Sequence, residues 1–366
     1  MSSDSLFDQP VAWSGRPKVV ACPPMYRLAA IVMGIVSATT TASAIVVAKA
    51  LDHNPGSQLA FAAWSAVLAV GLYQGPKWWL SEFEYVVTDR LVFIKRGQFR
   101  RTMDRSAISY ARIHWDPNHP GIGDLELVRA VPTGALRRRL SIVLTGVVAP
   151  DRIWAIIRGI TPATPAGDGE RLLAQRLDDG ERVLWSGQPP NHWGKWLPAN
   201  GRMWAALGLG LLLAFASVFI SIRAVHAVGT VTEGGMDPHS IQFYALVTSL
   251  VLTILLMVGA SLFIIYGSTI LPGRLHSETR YWVTDRRVLI QCGDHELHLE
   301  RTHIVDVIES PVPGGFQDLF FVLDGPRARA FASGGAFGER DIEGLQPIFR
   351  RMDRADAETV RGFLKG

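Results

Sequence analysis

The phrase "YVVTDRLVFI" at 85–94 returns as "YWVTDRRVLI" at 281–290, and the fold turns on what that repetition means. Each copy reads as two short strands rich in Val, Ile, Tyr and Leu, broken at Thr-Asp-Arg. Asp tolerates turn geometry and accepts hydrogen bonds from its own backbone, so Asp89 and Asp285 predict tight turns. Three more landmarks recur in the same order. "WSGRP" at 13–17 matches "WSGQP" at 185–189, "RSAI" at 105–108 answers "RTHI" at 301–304, and "GIGDLELV" at 121–128 resembles the later "GGFQDLFFV". The plan is a duplicated module: a Trp-Ser-Gly-x-Pro entry, an apolar hairpin and a strand-rich polar segment.

The apolar stretches predict membrane spans. Residues 28–48 carry no charge over about one bilayer thickness of helix. Residues 59–80 end in Trp78 and Trp79, which suit an interface, beside Lys77, which can snorkel. Residues 203–222 and 243–271 form the second pair. A charged fraction of 19%, below the soluble average of about 25%, and a mean hydropathy of +0.17 agree with a membrane protein. Arg16, Lys18 and Arg27 precede the first span, and Lys95, Arg96, Arg100 and Arg101 follow the second, whereas the loops inside each hairpin are poor in basic residues. By the positive-inside rule, both termini and both polar segments are expected in the cytoplasm. The polar N-terminus lacks a basic n-region, so no signal peptide is expected.

The expected divisions are a 1–27 N-terminal segment, hairpin 28–81, a β domain over 82–160, linker and second entry over 161–202, hairpin 203–271, a β domain over 272–354 and a 355–366 tail. Each β domain is expected to hold six or seven short strands and a closing helix, "PDRIWAIIRGI" in the first and "ERDIEGLQPIFRRM" in the second. The fold class is α+β: two transmembrane α-hairpins and two small β-barrels, each with a C-terminal helix.

Trp-x-Gly-x-Pro, a hairpin, then Tyr-x-Val-Thr-Asp-Arg-Arg resembles the bacterial pleckstrin-homology-like membrane protein family. The matching residues are Trp13, Gly15, Pro17, Tyr85, Thr88, Asp89 and Arg90 in the first copy. Those in the second are Trp185, Gly187, Pro189, Tyr281, Thr284, Asp285, Arg286 and Arg287. Leu91 replaces the second arginine in the first copy. The resemblance implies pleckstrin-homology barrels on a membrane-tethered scaffold that assembles with partners in the bacterial inner membrane. Fold alone does not assign function.

The residues offer little catalytic chemistry. His295, His298 and His303 lack the zincin spacing, and a strand would put the first two on opposite faces, so a solvated strand is expected there. The Gly-rich "ASGGAFGER" at 332–340 could present amides to an anion but reads as a loop. Cys22 and Cys292 share no metal or redox spacing. No cofactor, metal or nucleic acid is expected, nor is an enzyme. Trp13 and Trp185 are expected at the membrane interface, with the Gly and Pro turning the chain into the bilayer.

Charge separates the copies. Residues 82–160 carry 13 basic and 8 acidic side chains, and 272–354 carry 11 and 13. "KRGQFRR" gathers Lys95, Arg96, Arg100 and Arg101, where the second copy has "QCGDHEL". The first domain is therefore expected against anionic headgroups, with "LRRRL" at 136–140 adding to that surface, and the second against protein. Ordinary topology determinants explain the same arginines equally well. Small residues in the spans, Gly34, Ala38, Thr40, Ala44, Gly208 and Gly210, suit close helix contacts that join the hairpins or join protomers. The expected function is a non-catalytic scaffold whose partners are lipids and other membrane or cytoplasmic proteins. The alternative is a component of a transport or export system.

Overall fold

The computed structural model describes residues 10–51, 54–129, 140–160, 173, 176–191, 193–198, 201–234, 240–312, 314–323 and 345–365. They divide into a β unit and a helical unit.

In the β unit, the first module contains β1 (Val11–Gly15), β2 (Glu84–Thr88), β3 (Leu91–Arg96) and β4 (Phe99–Asp104) in one antiparallel sheet. It continues with β5 (Tyr110–Trp115), β6 (Ile122–Arg129), β7 (Leu140–Val148) and helix α3 (Pro150–Arg158). The second module repeats the order. It has β8 (Val183–Gly187), β9 (Thr279–Thr284), β10 (Arg287–Cys292) and β11 (His295–Glu300), then β12 (Ile304–Val312), β13 (Phe316–Leu323), β14 (Ile348–Met352) and α7 (Arg354–Lys365). Among the described residues each module has seven strands, the first of them supplied by its Trp-Ser-Gly entry segment.

The sheets do not stay separate. Strands β5 and β11 pair, so a single seven-stranded sheet runs β7-β6-β5-β11-β10-β9-β8 through both modules. The second hydrophobic core accordingly includes Tyr110 and Val128 from the first module.

Two expectations are corrected. The Trp-Ser-Gly entries are strands of the modules: β1 pairs with β2 and β8 with β9. Trp13 packs against the first core, and Trp185 packs against the second with its ring stacked on Phe349. Each indole is half-buried, and the core of its own module covers part of its apolar area. In the second module the closing helix is Arg354–Lys365, inside the expected tail, while Ile348–Met352 forms a strand. The loop at 332–340 lies outside the described residues, as does "LRRRL" apart from Leu140.

The repeat motifs have local reasons. A Cβ on Gly15 would lie 2.6 Å from the Trp13 ring, and one on Gly187 would lie 2.4 Å from Trp185, so each indole folds over its glycine. Thr88 Oγ1 accepts from Leu91 N (3.0 Å), and Thr284 Oγ1 accepts from Arg287 N (2.8 Å), closing the Thr-Asp-Arg turns. Arg105 donates to Thr88 O, Ile156 O and Ile157 O, pinning α3 to the turn. Arg301 repeats this staple with Asp285 O and Phe363 O. Gly187→Ala is expected to displace Trp185 and cost about 1–3 kcal/mol. Thermal unfolding followed by tryptophan fluorescence checks it, and an unchanged midpoint and spectrum would refute the steric argument.

The helical unit holds α1 (Pro24–Leu51), α2 (Gly56–Ser81), α4 (Gly201–Glu233) and α5 (Ile241–Ile265). The last continues through a π turn at Tyr266–Ile270 into α6 (Leu271–Glu278). Four helices are long and apolar enough to cross a membrane. Their outward side chains include Trp64, Phe215 and Phe263, apolar surface that calls for lipid cover. Within the first hairpin Ser37 Oγ donates to Ala62 O (2.8 Å), and within the second Ser261 Oγ donates to Gly210 O (2.8 Å). A Cβ at Gly210 would meet Ile265 at 2.9 Å, so this glycine is a close-packing site, whereas Gly34 and Gly208 face open space. Helix α1 meets α5, which joins the two hairpins.

Candidate functional site

The first candidate is the β3–β4 hairpin. Gly97, with φ +53°, makes its turn, which L side chains adopt poorly. Directly opposed residues share a face, and Lys95 opposes Arg100 while Arg96 opposes Phe99 and Arg101 opposes Ile94. The four cations are therefore split, Lys95 and Arg100 on one face and Arg96 and Arg101 on the other. Arg96 is engaged: it bonds Glu82 (2.8 Å) and lies 3.4 Å over the Trp79 ring. Lys95 directly opposes Arg100 across the hairpin, two like charges on one face.

The second candidate is the junction of the modules, where a buried ionic network was not anticipated. Helix α3 is amphipathic and ends on Arg158, whose guanidinium takes Asp178 in a fork (2.7 and 3.0 Å) and also reaches Glu300 at the end of β11 (3.0 Å). Arg287 on β10 forks onto Glu181 (2.9 and 2.8 Å). Thr284 Oγ1 donates to the same carboxylate (2.6 Å). Arg176 bonds Glu296, and each side chain is 1% exposed. His298 sits between, with Nδ1 3.1 Å from Arg287 Nη1 and Nε2 3.3 Å from Glu296 Oε2. Above this layer Leu173 packs on Trp282 and Leu289.

The geometry sets the protonation states. Arg287 can only donate, so Nδ1 of His298 accepts and its Nε2–H faces Glu296. Burial, with Arg287 nearby, holds His298 below the ordinary imidazole range, and Glu296 opposes the shift. Burial works against ionising Glu181, Asp178 and Glu296, yet Arg287, Arg158, and His298 with Arg176, respectively, outweigh it and hold the three carboxyls low.

Arg287 is thus the second arginine of Thr-Asp-Arg-Arg, and its role is structural. In the first module Leu91 stands there, and the position equivalent to Glu181 relative to the Trp-Ser-Gly entry is Gln9. The first module thus has neither the base nor the acid at these two positions.

The histidines are not on a solvated strand: β11 pairs with β5, and its Glu296 and His298 are buried against Arg176 and Arg287 while Leu297 and Leu299 enter the second core. His295 reaches solvent at the start of the strand, where its ring stacks on His114 at 4.1 Å with Nδ1 atoms 3.1 Å apart. Desolvation in the seam and the neighbouring imidazole push His295 to about 4. His303 turns elsewhere, to Ser109 O (3.1 Å). Among the described residues no group of three or more His, Cys, Asp or Glu is placed to hold a metal ion. Cys22 and Cys292 are both free and buried.

Sequence could have flagged Asp178, Glu181 and Arg176 only as charges in a linker, because their strand partners Arg287 and Glu296 lie over a hundred positions away, although Arg158 lies only 20 positions before Asp178. No protein-family model, curated protein or solved structure matches the chain.

Proposed function

We propose that this chain is a non-catalytic scaffold anchored in the bacterial inner membrane, presenting two pleckstrin-homology-like modules to the cytoplasm as one rigid platform. The observation that carries the reading is the seven-stranded sheet running through both modules, reinforced by buried ion pairs. A continuous sheet with a buried polar junction resists independent movement of its halves, as a fixed docking platform requires. The barrel assignment is supported by two modules that each have a four-stranded and a three-stranded antiparallel pattern before a C-terminal helix.

Proximity labelling from the full chain in cells tests the platform. A scaffold labels a fixed set of neighbours, and that set is lost when Arg287→Leu opens the junction. Labelling no different from that of an unrelated four-span protein would overturn the reading.

Lipid contact by Lys95, Arg96, Arg100 and Arg101 belongs to the same proposal, at most about 1 kcal/mol each near an anionic leaflet and less for Arg96, which is paired with Glu82. The full chain is required, because a fragment starting at 82 lacks β1 and one starting at 272 lacks β8. Hydrogen exchange in nanodiscs is expected to show residues 93–103 more protected with anionic than with zwitterionic lipid. High salt should remove the difference. Equal exchange in both lipids would remove lipid from the proposal.

A further inference from the structure

The seam between modules uses only half of what the repeat supplies. In the chain, β11 offers its edge to β5 in the register His295–His114, Glu296–Ile113, Leu297–Arg112 and His298–Ala111. The repeat counterpart of β11 is β4, and the counterpart of β5 is β12. Strand β4 ends the sheet β1-β2-β3-β4, and β12 ends the sheet β12-β13-β14, so among the described residues neither outer edge is paired. Each chain therefore carries one formed seam and both halves of a second, one half per module.

We propose that β12 of one chain pairs with β4 of a second copy, repeating the internal seam between molecules. Transferring the internal register places Phe99 opposite Ser310, Arg100 opposite Glu309, Arg101 opposite Ile308 and Thr102 opposite Val307. The charges fit that register. Arg100 meets Glu309 directly, and Arg101 is diagonal to Asp306, both within cross-strand reach. Pairing β4 with β4 would set arginines against arginines, and β12 with β12 would set acids together, so the edges select a head-to-tail partner.

Exposure follows the same logic. Phe99 on β4 is 55% exposed and Val305 on β12 is 36% exposed, whereas the covered strand β11 is almost wholly buried. A hollow of about 320 Å³ lies between β12, at Ile304, Val305, Asp306 and Val307, and Leu364 of α7. At the corresponding corner of the internal seam, His303 reaches Ser109 O. Pro311 stands where Trp115 donates to Asp294 O (2.9 Å), so the intermolecular seam is one bond shorter and more readily reversed. A heterologous contact of this kind propagates into a ring or an open array.

The pairing does not depend on lipid, and it is tested in uncharged detergent and in zwitterionic vesicles. Light scattering on the full chain is expected to show mass rising with concentration. Arg100→Glu and Glu309→Arg should each weaken association by about tenfold or more. Glu309 also bonds Arg361 (2.9 Å), so Arg100→Glu is the cleaner variant. Mixing the two single variants should restore assembly, because each supplies the edge the other now fits. A short crosslinker on Arg100→Cys mixed with Glu309→Cys should join unlike chains. A monomer at all concentrations, assembly indifferent to both reversals, or crosslinking only between identical positions would overturn the proposal.

Discussion

Replacing Arg287 with leucine, the residue at the matching position 91, is expected to cost about 3–5 kcal/mol. The loss comes less from the attraction removed than from what stays behind. Glu181 would remain buried with Thr284 as its main side-chain donor, and Asp178 would lose one of its two guanidinium neighbours. Removing both charges tells the two contributions apart. Arg287→Leu with Glu181→Gln copies the first module's own Leu91 and Gln9, and should recover most of the loss. Denaturant unfolding of the detergent-solubilised chain measures both variants. If the double variant is no more stable than the single one, the uncompensated carboxylate is not the cause.

Acid should destabilise the junction well before ordinary carboxylates titrate. His298 and His295 both sit below their unfolded value of about 6.5 in the folded chain. As pH falls through that value the unfolded chain takes up protons that the native state refuses, so stability present above it is lost on the way down. Each such proton contributes a slope of up to about 1.4 kcal/mol per pH unit. For His298 the first cause is burial, which penalises the charged ring; a proton on Nδ1 would also face the Arg287 N–H group, with Arg158 close and only Glu296 in favour. For His295 it is desolvation first, and then the stacked His114 ring. Asp178, Glu181 and Glu296, held low by their partners, extend the loss below about pH 4. Unfolding midpoints at pH 7.5, 6 and 5 should fall for the wild type and stay nearly level for His295→Gln with His298→Gln. A flat wild-type profile would show that the two imidazoles ionise freely.

What could be read beforehand was whatever the chain states locally. Apolar runs of bilayer length announced the helices, and alternating β-branched residues around Thr-Asp-Arg announced β2–β3 and β9–β10. The entry strands are not legible locally, because five residues beside a membrane span look like an anchor and their partners lie beyond an entire hairpin. Strand β14 is poorly marked, because polar and apolar residues alternate irregularly around Pro347 and only Ile348 and Phe349 signal it. The junction was invisible for a different reason. "DHELHLE" looks solvated unless Arg176, Asp178 and Ala111 are known to lie against it or its neighbours, and nothing local brings them there. Gly210 could be listed among small residues, but only the approach of Ile265 distinguishes it from Gly208.

The pairing of β1 with β2 has a consequence for synthesis. Residues 11–15 leave the ribosome first, yet their partner at 84–88 follows only after α1 and α2. The module closes if both ends of that hairpin emerge on one side of the bilayer, so insertion in the right sense is a precondition for the sheet. The same holds for β8 and β9 around the second hairpin. Between the completion of β5 and the arrival of β11, the ribosome must add everything from 116 to 294. At about 5–20 residues per second that takes on the order of ten to forty seconds. Throughout that interval Tyr110 and Val128 lack the half-core they will join, and a nascent chain with an open strand edge is at its most vulnerable to mispairing.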